Sequence, residues 1–212
     1  MQAPSRPDLP IIEQWHGFTP YTDGVARMEA LLGEVLAGAQ ERVIFCEHEP
    51  VLTVGSSGNV ADIHADAGVP VVETGRGGKV TYHGPGQRVV YLVVDLGRWN
   101  KDVRAYVKWL QQWLIAAASE LGVKAEAGDK DEIGVWVGDR KIAAIGVRVR
   151  KGVAYHGIAL NVANDMGIYK RFVPCGITDK GVARLADMGV DDIAVVDEAL
   201  IRTLLAMMPE HE

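Results

Sequence analysis

Val89 to Leu96 (VVYLVVDL) is a near-continuous apolar run. Successive side chains of a β-strand point to opposite faces, so a strand apolar at both parities needs cover on both sides. A chain built around such a strand is layered, with other elements packed on each face of a sheet. The cover is written into three amphipathic patterns. Val25, Met28, Leu32, Val35 and Leu36 recur at helical steps after Thr22, and Thr22 or Asp23 is the expected N-cap. Val103, Val107, Leu110, Leu114, Ala117 and Leu121 share the face of a long second helix; Asn100 is the expected cap and Gly122 the stop. A third helix is expected over Val195 to Met208, with Leu200, Leu204 and Met207 on its apolar face.

The remaining apolar segments are strands. Arg42 to Glu47 and Val69 to Glu73 are short runs flanked by loop residues. Ile133, Val135 and Val137 alternate with Gly134, Trp136 and Gly138, and Gly138-Asp139 and Lys151-Gly152 turn the chain before and after Ile142 to Arg150. Val153 to Val162 completes a meander. Strand runs broken by a few helices predict an α+β fold, a mixed and largely antiparallel sheet flanked by helices, rather than alternating βαβ units. The 212 residues, without a linker, repeat or composition shift, are expected to form one domain, residues 1–212, with a loose N-terminal segment of about ten residues.

Hydrophobic residues make up 48% and charged residues 24%, which suffices for an ordinary core. The net charge of −6 argues against a nucleic-acid partner, which favours a basic stripe. No stretch approaches the roughly 20 apolar residues of a membrane span. Two cysteines, Cys46 and Cys175, do not make a disulfide framework. With no signal-peptide pattern at the N-terminus, the expected compartment is the cytoplasm. The six histidines form no His-x-x-x-His pair and there is no Cys-x-x-Cys, so no metal site is expected. His48, in Glu47-His48-Glu49-Pro50, reads as a capping or turn residue.

Three features remain for chemistry. Arg76-Gly77-Gly78-Lys79-Val80-Thr81-Tyr82-His83-Gly84-Pro85-Gly86-Gln87 packs glycines, two cations, a tyrosine and an imidazole into twelve residues. It matches neither a phosphate-binding Walker loop nor a dinucleotide fingerprint. Its bland reading is a strained link between strands; its functional reading is a loop that cradles a substrate. Cys175 lies between Pro174 and Gly176, a turn that would expose its sulfur, whereas Cys46 in Ile44-Phe45-Cys46 looks buried. Lys141 precedes Ile142-Ala143-Ala144-Ile145-Gly146. An exposed hairpin lysine is the ordinary reading, although the small residues leave room for a neighbour on that strand.

Together these segments resemble the octanoyl-carrier-protein:protein octanoyltransferase family, also called lipoyl(octanoyl) transferase or lipoate biosynthesis protein B. Four blocks carry the likeness: Glu47 to Gly55, Arg76 to Gln87, Lys141 to Val147, and His156 to Val162 joined to Pro174-Cys175-Gly176-Ile177. Their order and spacing agree over about 130 residues, and the Arg-Gly-Gly-x-x-Thr-Tyr-His-Gly-Pro-Gly-Gln block is highly specific. One departure stands out. Where the family often has Thr-Ser-Leu after the cysteine loop, this chain has Ala183-Arg184-Leu185, which leaves the wiring of that loop open.

The resemblance implies a fold like that of biotin and lipoate protein ligase catalytic domains. It implies transfer of an octanoyl group from octanoyl-acyl carrier protein to a lysine of lipoyl domains, those of 2-oxoacid dehydrogenase complexes and the glycine cleavage H protein. Cys175 aligns with the acyl-thioester cysteine and Lys141 with the lysine paired with it. Around the acyl group it places Arg76, Gly77, Gly78, Lys79, Val80, Thr81, Tyr82 and His83, then Ala144, Ile145 and Gly146, then Gly157, Ile158 and Ala159. No cofactor is implied, since the acyl group arrives on the phosphopantetheine arm of the carrier, and a monomer is expected. Thiolate is the attacking form of cysteine, and a nearby cation such as Lys141 would favour it. The alternatives are an ATP-dependent lipoate or biotin ligase-like enzyme of the same fold, and a non-catalytic module that binds acyl chains or carrier protein.

Overall fold

The computed structural model describes residues 9–64, 66–129, 132–172 and 181–210. In chain order its strands are β1 (Ile11–Thr19), β2 (Arg42–His48), β3 (Val51–Val54), β4 (Val71–Glu73), β5 (Val80–His83), β6 (Gln87–Asp95), β7 (Glu126–Ala127), β8 (Val135–Val137), β9 (Arg140–Arg150), β10 (Val153–Asn161) and β11 (Gly181–Val182). The helices are α1 (Tyr21–Leu36), α2 (Val103–Glu120) and α3 (Ile193–Met207). Among the described residues the larger sheet runs β1-β2-β6-β10-β9-β8-β7, with β11 added beside β9, and a smaller sheet runs β4-β3-β5. Pairing in the larger sheet is antiparallel except for β1 with β2 and β11 with β9. The α+β class read from the sequence holds.

The apolar run is the central strand β6, and its alternation builds both layers. Val90, Leu92 and Val94 pack with Tyr106, Leu110 and Trp113 of α2 and Leu200 and Leu204 of α3. Val89, Tyr91 and Val93 face Met28 and Leu32 of α1. Trp113 Nε1 donates to Leu200 O at 3.0 Å and Trp109 Nε1 to Met207 O at 3.0 Å, which fixes α2 against α3. Across the sheet, Arg88 grips Asp197 of α3 through Nε to Oδ1 at 2.7 Å and Nη2 to Oδ2 at 2.8 Å. None of the described helices is long and apolar enough to cross a membrane.

Lys151 (φ 50°) and Gly152 (φ 86°) both adopt the left-handed conformation that a two-residue hairpin requires, as the turn residues predicted. The caps differ. Helix α1 starts at Tyr21, two residues ahead of the start that a Thr22 cap would set, behind Pro20 and with no side-chain cap. Helix α2 is capped by Asp102, whose Oδ1 accepts from Arg104 N and Ala105 N, while Asn100 (φ 52°) closes the short turn Leu96–Trp99. Strand β1 has no clean alternation because it is an edge strand in which Trp15 alone is buried. His48 is the fully buried last residue of β2, not a turn residue.

Candidate active site

The smaller sheet and the glycine-rich loop stand over one face of the larger sheet and enclose a cavity of about 370 Å³. Its floor is where β9 and β10 pair, with Gly146 opposite Gly157 and Ala144 opposite Ala159. Four small residues across two strands make a shallow trough. The glycine at 157 is sterically required, since a Cβ there would lie 2.2 Å from Val90 O of the central strand. Ile145 and Ile158 also line the cavity.

The roof is Arg76-Gly77-Gly78-Lys79 and β5. The sequence reading treated this stretch as connection, yet it holds the four residues of β5, paired antiparallel with β3. The two-residue period decides which of them can meet a substrate. Thr81 and His83 line the cavity; Val80 and Tyr82 turn away into a separate cluster with Leu52, Val54, Ile168 and Phe172. Gly77 N donates to Val147 O at 3.2 Å, and a Cβ on Gly146 would lie 2.9 Å from Gly77 O, so the loop rests directly on β9. The Arg76 guanidinium is a clamp: Nη2 donates to Thr53 O at 2.8 Å, Thr53 Oγ1 at 2.7 Å and Lys79 O at 2.9 Å, and Nη1 to Gly77 O at 3.0 Å. These bonds fold the loop back on itself and onto β3.

Lys141 lines the same cavity with Ile133 and Val107. It is buried rather than exposed on a hairpin; its Nζ donates to Ile133 O at 3.1 Å and lies 4.9 Å from the centre of the Trp136 ring. A β-bulge between Val135 and Trp136 opposite it and the extended, positive-φ Gly134 (φ 146°) make room for the side chain. The backbone O of Lys141 accepts from Ala183 N at 3.0 Å, where β11 pairs with β9. Ala183 is fully buried in the main core, so methyl replaces hydroxyl at a dry position. Arg184 Nη1 donates to Asn164 O at 2.8 Å and its Nε to Asp187 Oδ1 at 3.1 Å. Cys175 lies outside the described residues.

Tyr21, Tyr91 and His156 also line the cavity, beside His83. His48 Nδ1 faces the Thr19 carbonyl oxygen at 2.9 Å and must donate to it; Nε2 therefore accepts from Tyr91 Oη at 2.7 Å. Gln87 Nε2 donates to Tyr82 O and Asn161 Oδ1, leaving its Oε1 to accept from His83 Nδ1 at 2.8 Å. The His83 ring stacks on Tyr21 at 5.6 Å. Burial drives all three imidazoles toward neutrality: His48 falls below its ordinary pKa, His83 falls well below it, and His156 falls to about 4 with Arg76 and Arg148 adding to the effect. Burial likewise raises Tyr21 and Tyr91. Cys46 is buried, with its thiol pushed up to about 12, chiefly by burial. Sequence reasoning gave Tyr21, Tyr91 and His156 no role. The available signal for Tyr91 was its phenol inside an otherwise aliphatic run.

The model of a family described as the lipoyl protein ligase A/B catalytic domain matches residues 20–205. An octanoyltransferase of Maricaulis maris is 48% identical over 87% of this chain and 85% of its own length. One from Paracoccus denitrificans is 44% identical over 91% and 94% respectively. Among solved structures, a bipartite lipoate protein ligase from Thermoplasma acidophilum superposes with a TM-score of 0.78 at 21% identity, covering 93% of this chain and 83% of that one.

Proposed function

This chain belongs to the lipoyl protein ligase A/B catalytic-domain family, and we propose that it is an acyltransferase that moves an octanoyl group from acyl carrier protein to a lysine of a lipoyl domain by way of Cys175. The supporting observation is the trough of small residues under a glycine loop, uncharged among its histidines and tyrosines, with the amine of Lys141 in its wall. An octanoyl chain has about seven carbons to cover, worth about 0.8 kcal/mol each, or roughly 5 kcal/mol in all.

In the first half-reaction the Cys175 thiolate attacks the donor thioester carbonyl. A carbon–sulfur bond forms, another breaks, and the carrier leaves as a thiolate that takes its proton from the Lys141 ammonium. In the second, the neutral amine of the acceptor lysine attacks the acyl-enzyme, an amide forms, Cys175 leaves as the thiolate, and the proton lost by the amine is taken up by a base. The amide is the more stable product, so no nucleotide is consumed. Lys141 is the proposed partner of Cys175, favouring the thiolate and serving as that base. Supporting the pairing, the chain that follows Cys175 re-enters the described structure at Gly181–Val182, paired with Arg140 and Lys141. Five residues separate Cys175 from Gly181, six steps along the chain and a tether of about 22 Å at most at roughly 3.3–3.6 Å each. Thiol chemistry of this kind suits the reducing cytoplasm.

Intact mass after mixing with octanoyl carrier protein tests the proposal. Wild-type protein should gain one octanoyl group and pass it to a lipoyl domain without ATP. Cys175→Ala should gain none, and Lys141→Ala should lose transfer while remaining folded. An adduct on Cys46 in the Cys175→Ala protein, or transfer that needs ATP, overturns the mechanism.

A further inference from the structure

Behind the main cavity lies a second one of about 320 Å³, between α1 and β4. Val25 of α1 and Val72 of β4 are its aliphatic lining, and Thr22, Glu29, Glu73 and Arg148 are among its polar lining. Two residues belong to both cavities, Tyr21 and His156, and so form the partition between them. Tyr21 is held in place by its stacking on His83 and by its hydroxyl, which donates to Thr74 Oγ1 at 3.4 Å.

His156 is set in an unusual way. It sits inside β10 with φ +64°, a conformation side-chain-bearing residues rarely adopt in a strand. Its N–H leaves the ladder and donates to Met28 Sδ of α1 at 3.3 Å. Its ring lies against Tyr155 at 5.1 Å and meets Tyr91 edge-on at 6.2 Å. Local strain of this kind persists where the surroundings over-determine it and often marks a functional position. Here its geometric effect is to seat the imidazole at the boundary of two spaces, while the flanking Gly157 stays on the trough floor.

We propose that His156 is the end wall of the acyl cavity and thereby sets the longest chain the protein accepts. The inference rests on the acyl-transfer reading of the same cavity and adds to it the residue that limits the substrate. Removing the imidazole would join the two spaces through the gap beside Tyr21, giving a longer chain cover along Val25 and Val72. Burial keeps the ring neutral, so its presence beside a methyl terminus does not set a charge against it.

The decisive experiment compares wild type, His156→Gly and His156→Asn on thioesters of eight, ten, twelve and fourteen carbons. Glycine and asparagine both tolerate the left-handed backbone at 156, so the strain that accompanies histidine does not become a folding defect. Each methylene that newly finds cover is worth about fourfold, so the kcat/KM ratio of twelve to eight carbons should rise at least tenfold in the glycine variant. Val25→Trp in that background should refill the second cavity and restore the ratio. In parallel, thermal shifts with free octanoate and dodecanoate read the wall by binding alone. If wild type transfers from no donor, the activity reading falls, yet the binding arm still decides the wall. An unchanged dodecanoate-to-octanoate preference in both folded variants overturns the proposal, as does a Val25→Trp change that leaves the gain in place.

Discussion

Adding one methyl group at either of two paired glycines separates the roles of floor and roof. In Gly146→Ala the new Cβ falls 2.9 Å from Gly77 O and 3.4 Å from Arg76 Cδ. Real Cβ atoms essentially never come that close to a backbone oxygen, so the loop must lift. It can do so by stretching the bond from Gly77 N to Val147 O, and the cost should be about 1–3 kcal/mol, the usual range for overpacking. In Gly157→Ala the Cβ falls 2.2 Å from Val90 O and 2.8 Å from Leu92 Cδ1, both on the central strand. No loop there can give way, and the loss should exceed that at 146. Function should sort the other way relative to stability. A roof lifted by a few tenths of an ångström uncovers the acyl chain and shifts its carbonyl, and a misplacement of about 1 Å can cost about a hundredfold in rate. Gly146→Ala should therefore retain most of its stability and lose ten- to a hundredfold in kcat/KM. Urea unfolding and steady-state transfer from octanoyl carrier protein measure the two losses. Equal stability in both variants, or full activity in Gly146→Ala, would refute the assignment of the loop as a roof seated on that strand.

Asp197→Ala should cost about 3–5 kcal/mol, because it strands the buried Arg88 guanidinium that now makes two bonds to the carboxylate. The double change Arg88→Met with Asp197→Leu should recover most of that loss in the same urea titration, and failure to recover would mean the pair does more than neutralise itself. The pH response follows from His156. Its folded pKa is lowered to about 4 from an ordinary 6.5, so the unfolded chain takes up a proton that the folded one refuses. Stability is intact above pH 6.5 and falls as pH drops toward 4, by about 3 kcal/mol for this group over the whole window. Urea midpoints at pH 7, 6 and 5 should decline more steeply in wild type than in His156→Gly; parallel slopes would show that His156 is not held neutral.

Much of this was legible because it depends on period and composition. The run at Val89–Val94 demanded two covered faces, and the spacing in Val103–Leu121 supplied one of the covers; both are statements about which side of an element is dry. The turn at Lys151-Gly152 was legible because left-handed backbone selects its residues. Where several local choices compete, the sequence misled. Asn100 was the expected cap of α2, but the short turn before the helix takes Asn100 as its own end and leaves the cap to Asp102. Lys141 read as a surface lysine because nothing adjacent in sequence shows that Trp136 and the Ile133 carbonyl will receive it. Arg76 read as one of two cations in a substrate-cradling loop, whereas its guanidinium bonds Thr53, Gly77 and Lys79; that use depends on β3 lying alongside, a contact 23 residues distant.

Partners drawn from distant parts of the chain let the cavity carry so many polar groups around an apolar guest. Isolated, an imidazole or phenol in a dry pocket would seek a partner and pull water or charge with it. Here the partners come from elsewhere in the chain: Thr19 O for His48, His48 for Tyr91, and Gln87 for His83, itself held by Tyr82 O and Asn161. These ties fix the tautomer and orientation of His48 and His83, and burial keeps both rings uncharged. The rings of His48, Tyr91 and His83 are stiffer than aliphatic side chains, because rotating one breaks a buried hydrogen bond, worth about 1–3 kcal/mol when its partner is left unsatisfied, and His156 is held against them by its contact with Tyr91 and by its backbone N–H on Met28. A rigid wall is what discrimination by length requires, since a wall that yields accepts the next methylene for only the cost of moving it.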